Sequence, residues 1–274
     1  MFTGVELTDA LSKAGSSMNR KVSAYLIGGC AMTFMGRKVA TKDIDVVFGS
    51  MPDAREFVSA MKQAGFSNVR KLSGEYDALG TFAMVEDNKG MRFDVFDRQV
   101  CKALEMSQGM RSHARFYRSF GNLDVHLMSP EDIFLFKGIT EREADLDDMR
   151  ILAESRVDWK AIEKECLSQK SGHWAYMLGT KLLELRAKFA IDSPIIKALM
   201  ERADLELLAY VFGQIILERR ATFREIGDRI KERYGYSESW TRKQLVILQR
   251  KKIVGVEEKG RSQLYYMRRT PSFL

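Results

Sequence analysis

Residues Tyr25 to Phe48 read YLIGGCAMTFMGRKVATKDIDVVF, and no other stretch limits the possible folds as sharply. An apolar run that stops at two glycines and passes into a short helical pattern reads as strand, turn and helix. The next apolar run opens on Asp43 and Asp45 with Ile44 between them. Alternate residues of a strand share a face, so both carboxylates point one way while Ile44 points into a core. Acids set side by side repel each other unless a cation sits between them, and oxygen donors of this kind suit a divalent one.

A third acid is needed to complete a site for two cations. Phe93-Asp94-Val95 supplies it, as an apolar-acid-apolar triplet that projects a carboxylate from a buried strand, whereas Asp97 has the opposite parity. Bare backbone at Gly28 and Gly29 leaves unpaired N–H groups at a helix start, where a phosphate can approach closely.

The flanking sequence fills out an α/β unit. Residues 6–17 have helical periodicity, Val22 to Ile27 reads as a buried strand, Cys30 to Met35 as a short helix and Ile44 to Phe48 as a strand. Pro52 and Asp53 open a helix that Gly65 ends. Gly80 to Glu86 and Met91 to Arg98 are expected to pair as a hairpin across Asp87-Asn88-Lys89-Gly90. A further strand is expected near Leu123 to Leu127. Ser129-Pro130-Glu131-Asp132 follows, with the hydroxyl, proline and acids of a helix start. From there to about Arg202 the pattern is helical, with breaks at Gly138, Asp158, Gly172 and Pro194.

The glycine pair, thirteen intervening residues, Asp-x-Asp and a later apolar-acid-apolar strand together resemble the nucleotidyltransferase superfamily over roughly residues 20–150. The likeness is to the minimal nucleotidyltransferases and the toxin-type enzymes of the AbiEii group. It includes Arg37 and Thr41 just before the acids and, in PEDIFLFKGITEREADLDDM, Lys137, Arg142, Asp145 and Asp148. The resemblance implies an α/β (α+β) fold with a mixed sheet, in which Asp43 and Asp45 hold Mg²⁺ or Mn²⁺ on a nucleoside triphosphate. Asp94 then joins a second ion that activates a hydroxyl, and pyrophosphate leaves in line. Gly28, Gly29, Arg37, Thr41 and Lys137 are implied to bind the nucleotide, Lys137 by neutralising the leaving group. Arg142, Asp145 and Asp148 share a helix face, which suits an ordinary surface ion-pair cluster equally well. Many members with transfer activity carry a serine at the second glycine, so Gly29 removes one hydroxyl contact to phosphate.

From Leu205 the pattern changes. An apolar helix to Leu217 precedes a second helix from Thr222, a third from about Ser237 and two short strands, Ile253 to Val256 and Gln263 to Tyr266, around Lys259-Gly260-Arg261. Of the chain's 44 Lys+Arg and 37 Asp+Glu, 15 and 8 fall between Leu205 and Leu274, so this segment carries the whole formal charge of +7. It resembles the winged helix-turn-helix family. In that family the third helix enters the major groove. The resemblance therefore implies that Ser239, Trp240, Arg242 and Lys243 face base edges and phosphates, with Lys259 and Arg261 at the wing tip on the adjacent backbone. Winged helices also serve as protein-interaction or dimerisation modules, which leaves a protein partner or a homodimer open. The surplus charge favours nucleic acid, DNA or RNA.

Length and composition set the outer limits. A chain of 274 residues at 45% hydrophobic content buries a core and exceeds one typical domain. Three segments are expected: a nucleotidyltransferase-like domain over 1–150, a helical segment over 151–204 and a winged helix domain over 205–274. No window approaches a membrane span and the start lacks the order of a signal peptide, so the expectation is a soluble, cytoplasmic protein without membrane contact. Cys30, Cys101 and Cys166, like His113, His126 and His173, are scattered, which excludes a disulfide framework and a zinc cluster. Two functions remain. One is a metal-dependent transferase moving a nucleotide from an NTP to a hydroxyl on RNA or protein, targeted by its nucleic-acid-binding segment. The other is a non-catalytic DNA-binding transcriptional regulator whose transferase-like domain senses a nucleotide. The resemblance also suggests membership of a toxin-antitoxin pair.

Overall fold

Residues 1–69, 80–100, 104–140, 142–169, 171–216, 220–260 and 262–269 are described by the structure, a computed structural model. The chain divides into two compact units, Met1–Gln169 with Thr180–Ile195, and Lys170–Gly179 with Ile196–Leu274.

In the first unit β1 (Phe2–Thr3) leads into α1 (Gly4–Ser16), β2 (Val22–Leu26), α2 (Gly28–Phe34), β3 (Ala40–Thr41), β4 (Asp43–Phe48) and α3 (Met51–Gln63). Then come β5 (Ser67–Asn68), β6 (Ala83–Glu86), β7 (Arg92–Asp97), β8 (Gln99–Val100), β9 (Leu104–Glu105) and α4 (Gln108–His113). Strands β10 (Arg115–Phe120) and β11 (Leu123–Leu127) precede α5 (Pro130–Gly138), α6 (Ala144–Glu154) and α7 (Trp159–Ser168). Seven strands form one sheet in the order β10-β11-β2-β4-β7-β6-β5. Pairs β11/β2 and β4/β7 are parallel and the others antiparallel, so the sheet is mixed as the sequence led us to expect.

Local chemistry explains why these elements form where they do. Thr3 and Glu6 make a capping box at the start of α1, which buries Leu7, Ala10, Leu11 and Ala14 on one face. Ser50 caps α3 with Pro52 in its first turn, and Phe57 carries that helix onto the sheet, its ring 5.0 Å from Phe48 and 5.5 Å from Phe93. Each such fully buried aromatic contributes about 1.5–3 kcal/mol. The expected hairpin joins β6 to β7, with Glu86 opposite Arg92 and Ala83 opposite Val95. All four expected helical breaks coincide with element ends. Gly138 ends α5, and Asp158 caps α7 by accepting the Lys160 and Ala161 N–H groups. Gly172 precedes α8 (His173–Phe189), and Pro194 separates it from α9 (Ile196–Ile216).

Three features depart from expectation. Helix α2 begins at Gly28 and not at Cys30, because Gly28 turns the chain at φ +62°. Strand β10 and helix α4 are not legible in the sequence: β10 exposes most of RFYRSF and lacks the alternation that marks a half-buried strand. The boundary expected between residues 204 and 205 falls inside α9, and residues 151–204 are divided between the two units.

The second unit packs Ala209, Phe212, Ile215 and Ile216 of α9 against α10 (Phe223–Tyr234) and α11 (Glu238–Arg250) through Ile226, Ile230, Leu245 and Leu248. A capping box of Thr222 and Glu225 starts α10, Gly235 ends it in the left-handed conformation, and Ser237 caps α11. Strand β12 (Ala221–Thr222) pairs antiparallel with β14 (Ser262–Met267), which pairs antiparallel with β13 (Val254–Lys259). Glu206 of α9 has no solvent exposure; Arg202 lies 3.1 Å away, and Arg269, just beyond β14, grips it bidentately at 2.6 and 3.2 Å.

Cys30 and Cys166 are buried free thiols, and Cys101 lies outside the described residues. Among the described residues no helix is long and apolar enough to cross a membrane.

Candidate functional site

Strand register gathers the acids. Asp43 is opposite Arg92 and Asp45 is opposite Asp94 in the parallel β4/β7 pair, so all four side chains share one face. Ile44 is fully buried on the other face, as the spacing requires. Asp94 is 2% exposed. Its neighbours Phe93 and Val95 are fully buried, so the carboxylate emerges from the middle of the core layer.

Arg92 is the residue that sequence reasoning missed. Its Nη2 lies 2.5 Å from Asp43 Oδ2 and 3.1 Å from Asp94 Oδ2, while its Nε lies 2.8 Å from Asp94 Oδ1. A signal was present: Arg92 stands two positions before Asp94 on one strand, and such residues share a face. Asp45 is different. Among the described residues no hydrogen bond or ion pair reaches its carboxylate. Burial and the charges of Asp43 and Asp94 push its carboxyl up to about 8 against the pull of Lys137 and Arg142. Burial also raises Asp94, to about 6, although Arg92 opposes the rise.

The glycines serve the protein's own side chains. A β-carbon at Gly28 would collide with the Asp45 carboxylate, and one at Gly29 would lie 2.7 Å from Thr41 Oγ1. A serine at position 29, as in the resembled family, would push Thr41 aside. Thr41 itself is 4% exposed, and its hydroxyl donates to the Asp43 carbonyl at 3.2 Å. That placement makes Thr41 a strut under β4.

Lys137 is buried too. Its Nζ lies 2.5 Å from Asp145 and 3.0 Å from Asp148, and Asp148 also takes Lys38 Nζ at 2.6 Å. Arg142 Nε and the Thr140 hydroxyl complete the shell of Asp145. Burial works against the Lys137 charge, but Asp145 and Asp148 outweigh it and hold the ammonium above its ordinary range. Burial likewise opposes the Asp145 charge, and Lys137 and Arg142 reverse that effect. The pair Asp145 and Asp148, equally readable as surface ion pairs, is an interior network that fixes Lys137. Gly28, Asp45, Lys137, Thr140 and Arg142 line one cavity of about 30 Å³, room for about one water. Arg37 is not part of this group; it lines a separate cleft with Arg115.

The donor set has the chemistry of a hard-cation site, all carboxyl oxygen, with Asp45 lacking a partner among the described residues. Its arrangement does not. Among the described residues no three Asp, Glu, His or Cys side chains are grouped so as to hold an ion, and Arg92 sits against both Asp43 and Asp94. As arranged, these residues do not fit the Mg²⁺ or Mn²⁺ that the sequence resemblance implies.

In the second unit Ser239, Arg242, Lys243 and Lys259 are exposed, and Arg261 lies outside the described residues. Trp240 is half-buried, its ring 4.0 Å from Tyr236 and 6.2 Å from Phe212, which places it at the edge of that unit's core and not on a free surface. Arg242 is drawn over the Phe223 ring at 4.1 Å and bonded to Glu238 at 3.3 Å. Lys243 carries no such engagement among the described residues.

No family model matches this chain, and no curated protein does. A solved structure from Thermotoga maritima, described as a candidate nucleotidyltransferase, is 18% identical and spans 56% of this chain and 91% of its own, with a TM-score of 0.36. A likeness so distant identifies neither fold nor activity.

Proposed function

We propose that the first unit is a nucleotidyltransferase-like domain that transfers a nucleotide from an NTP to a hydroxyl on RNA or protein, and that the second is a winged helix that binds nucleic acid. The observation that carries the reading is the register of Asp43, Asp45, Arg92 and Asp94 on one face beside Gly28. Asp43 and Asp94 share one guanidinium, and Asp45 beside them is held protonated up to about pH 8, so the face can take up further positive charge by releasing that proton. Arg92 stands in for a cation, so a divalent ion enters this reading only once Arg92 gives up Asp43 and Asp94. Lys137, held in the interior by Asp145 and Asp148, contributes positive potential to this face from behind Asp45.

Incubating the chain with NTPs labelled at the α-phosphate, Mn²⁺ and total cellular RNA and protein tests this. Label transfer lost in Asp45→Asn supports the enzyme. A second reading, a DNA-binding regulator that senses a nucleotide without turnover, is favoured by the pairing of Arg92 with two of the three acids. Absence of transfer together with salt-sensitive binding of duplex DNA would select it.

A further inference from the structure

We propose that the cleft between Arg37 and Arg115 is a phosphate-binding site, separate from the acid face and at the same end of the sheet. The cleft has a volume of about 310 Å³ and is lined by Met35, Arg37, His113, Arg115, Met128 and Ser129 among others. Neither arginine has a carboxylate partner among the described residues. Arg37 Nη1 is sealed from solvent and has no hydrogen-bond acceptor. A buried guanidinium nitrogen without an acceptor is costly and rare, and an oxyanion is the group that satisfies it.

Topology places the cleft. Met128 donates its N–H to the Leu26 carbonyl and Ile27 to that of Asp45, so the ends of β11, β2 and β4 follow one another along one sheet edge. Two strand spacings, about 10 Å, separate the strand that floors the cleft from the strand that carries Asp45. Ser129 caps α5 at the rim, and that helix start adds backbone polarity of the sign an anion needs. The ligand class is therefore a phosphate group, carried by a nucleotide or by a polynucleotide backbone. Only the choice of these two carriers rests on the function proposed above.

Titration of the full chain with inorganic tripolyphosphate, free of divalent ions and at low salt, tests the site. Saturable binding should weaken about tenfold in Arg37→Gln and again in Arg115→Gln, as expected for each lost charge-assisted hydrogen bond. Arg118→Gln, an equal loss of charge on the same strand outside the cleft, should leave affinity unchanged. Arg115 is exposed, so its variant folds even if Arg37→Gln does not. Competition by ATP names the nucleotide as carrier, and competition by a short single-stranded RNA, in an Arg242→Ala Lys243→Ala background, names the polynucleotide. Equal affinity in the wild type, Arg115→Gln and Arg118→Gln overturns the site, as does competition by neither. Loss of label transfer with these affinities intact would count against the transferase and not against the cleft.

Discussion

Arg92 stands opposite Asp43 in the parallel register of β4 and β7, and its Nη2 lies 2.5 Å from Asp43 Oδ2. Strand register fixes where Arg92 stands, and its side-chain contact to Asp43 is the part that a cation could replace. Removing the guanidinium leaves two acids facing each other and an opening for a cation. Arg92→Ala should melt at lower temperature than the wild type in chelator, and Mn²⁺ should restore it. Mn²⁺ affinity by calorimetry should rise tenfold or more, about 1.4 kcal/mol. Equal affinities in the two proteins would show that Arg92 does not hold the cation's place.

Gly28→Ala tests whether the glycine serves Asp45. Gly28 combines φ +62° with an Asp45 carboxylate in the way of any β-carbon. The variant should lose about 1–3 kcal/mol in urea unfolding. Gly29→Ala should lose less, and a Thr41→Ser change should not rescue it, because Thr41 Oγ1 is the atom in contact. Rescue by Thr41→Val, which puts a methyl group of at least equal size in place of that oxygen, would count against a steric clash.

The Lys137 network predicts a stability effect larger than a phosphate-binding surface lysine could give. Lys137→Met removes the buried ammonium that Asp145 and Asp148 share, leaving them with Arg142, Thr140 and Lys38 as their remaining partners. The expected loss is about 3–5 kcal/mol, smaller if Asp145→Asn accompanies it. An unchanged unfolding midpoint for Lys137→Met would show that the network is not structural.

The raised Asp45 carboxyl gives a pH dependence of definite sign. Its ordinary value is 3.8 and its folded value about 8, so between these the folded chain keeps a proton that the unfolded chain has released. Stability from this group is therefore greatest in acid, declines as pH rises through the window and is level above about 8. Asp45→Asn should flatten that decline. Its melting temperature should gain on the wild type at pH 8 more than at pH 5, each kcal/mol counting for about 2–4 °C.

In the second unit, Lys243→Ala should weaken binding of duplex DNA and lower the slope of log affinity against log salt by about 0.9. Trp240→Ala should instead destabilise the unit, by about 1–3 kcal/mol, because its ring packs on Tyr236 and Phe212. A reduced salt slope with unchanged stability for Trp240→Ala would return that residue to the binding surface.

What could be read in advance followed from periodicity. Ile44 between two acids, the β6/β7 hairpin and the caps at Ser129 and Asp158 each depend on neighbours within a few residues. Partners brought by the sheet were not legible. Lys38 and Asp148 are 110 positions apart yet 2.6 Å apart in space, and nothing local marks Lys38. What fills the space beside the glycines was not legible for a related reason. Their bareness was visible, but the side chain that uses it, Asp45, arrives from the next strand.

Glu206 closes on Arg269, which leaves the sheet at the far end of β14, while its own helix α9 starts the second unit's core. The hairpin of β13 and β14 is thereby riveted to the long helix at a point shielded from ions in solution. A displacement of the hairpin is then passed to the helix, and one of the helix to the hairpin, through a buried ion pair.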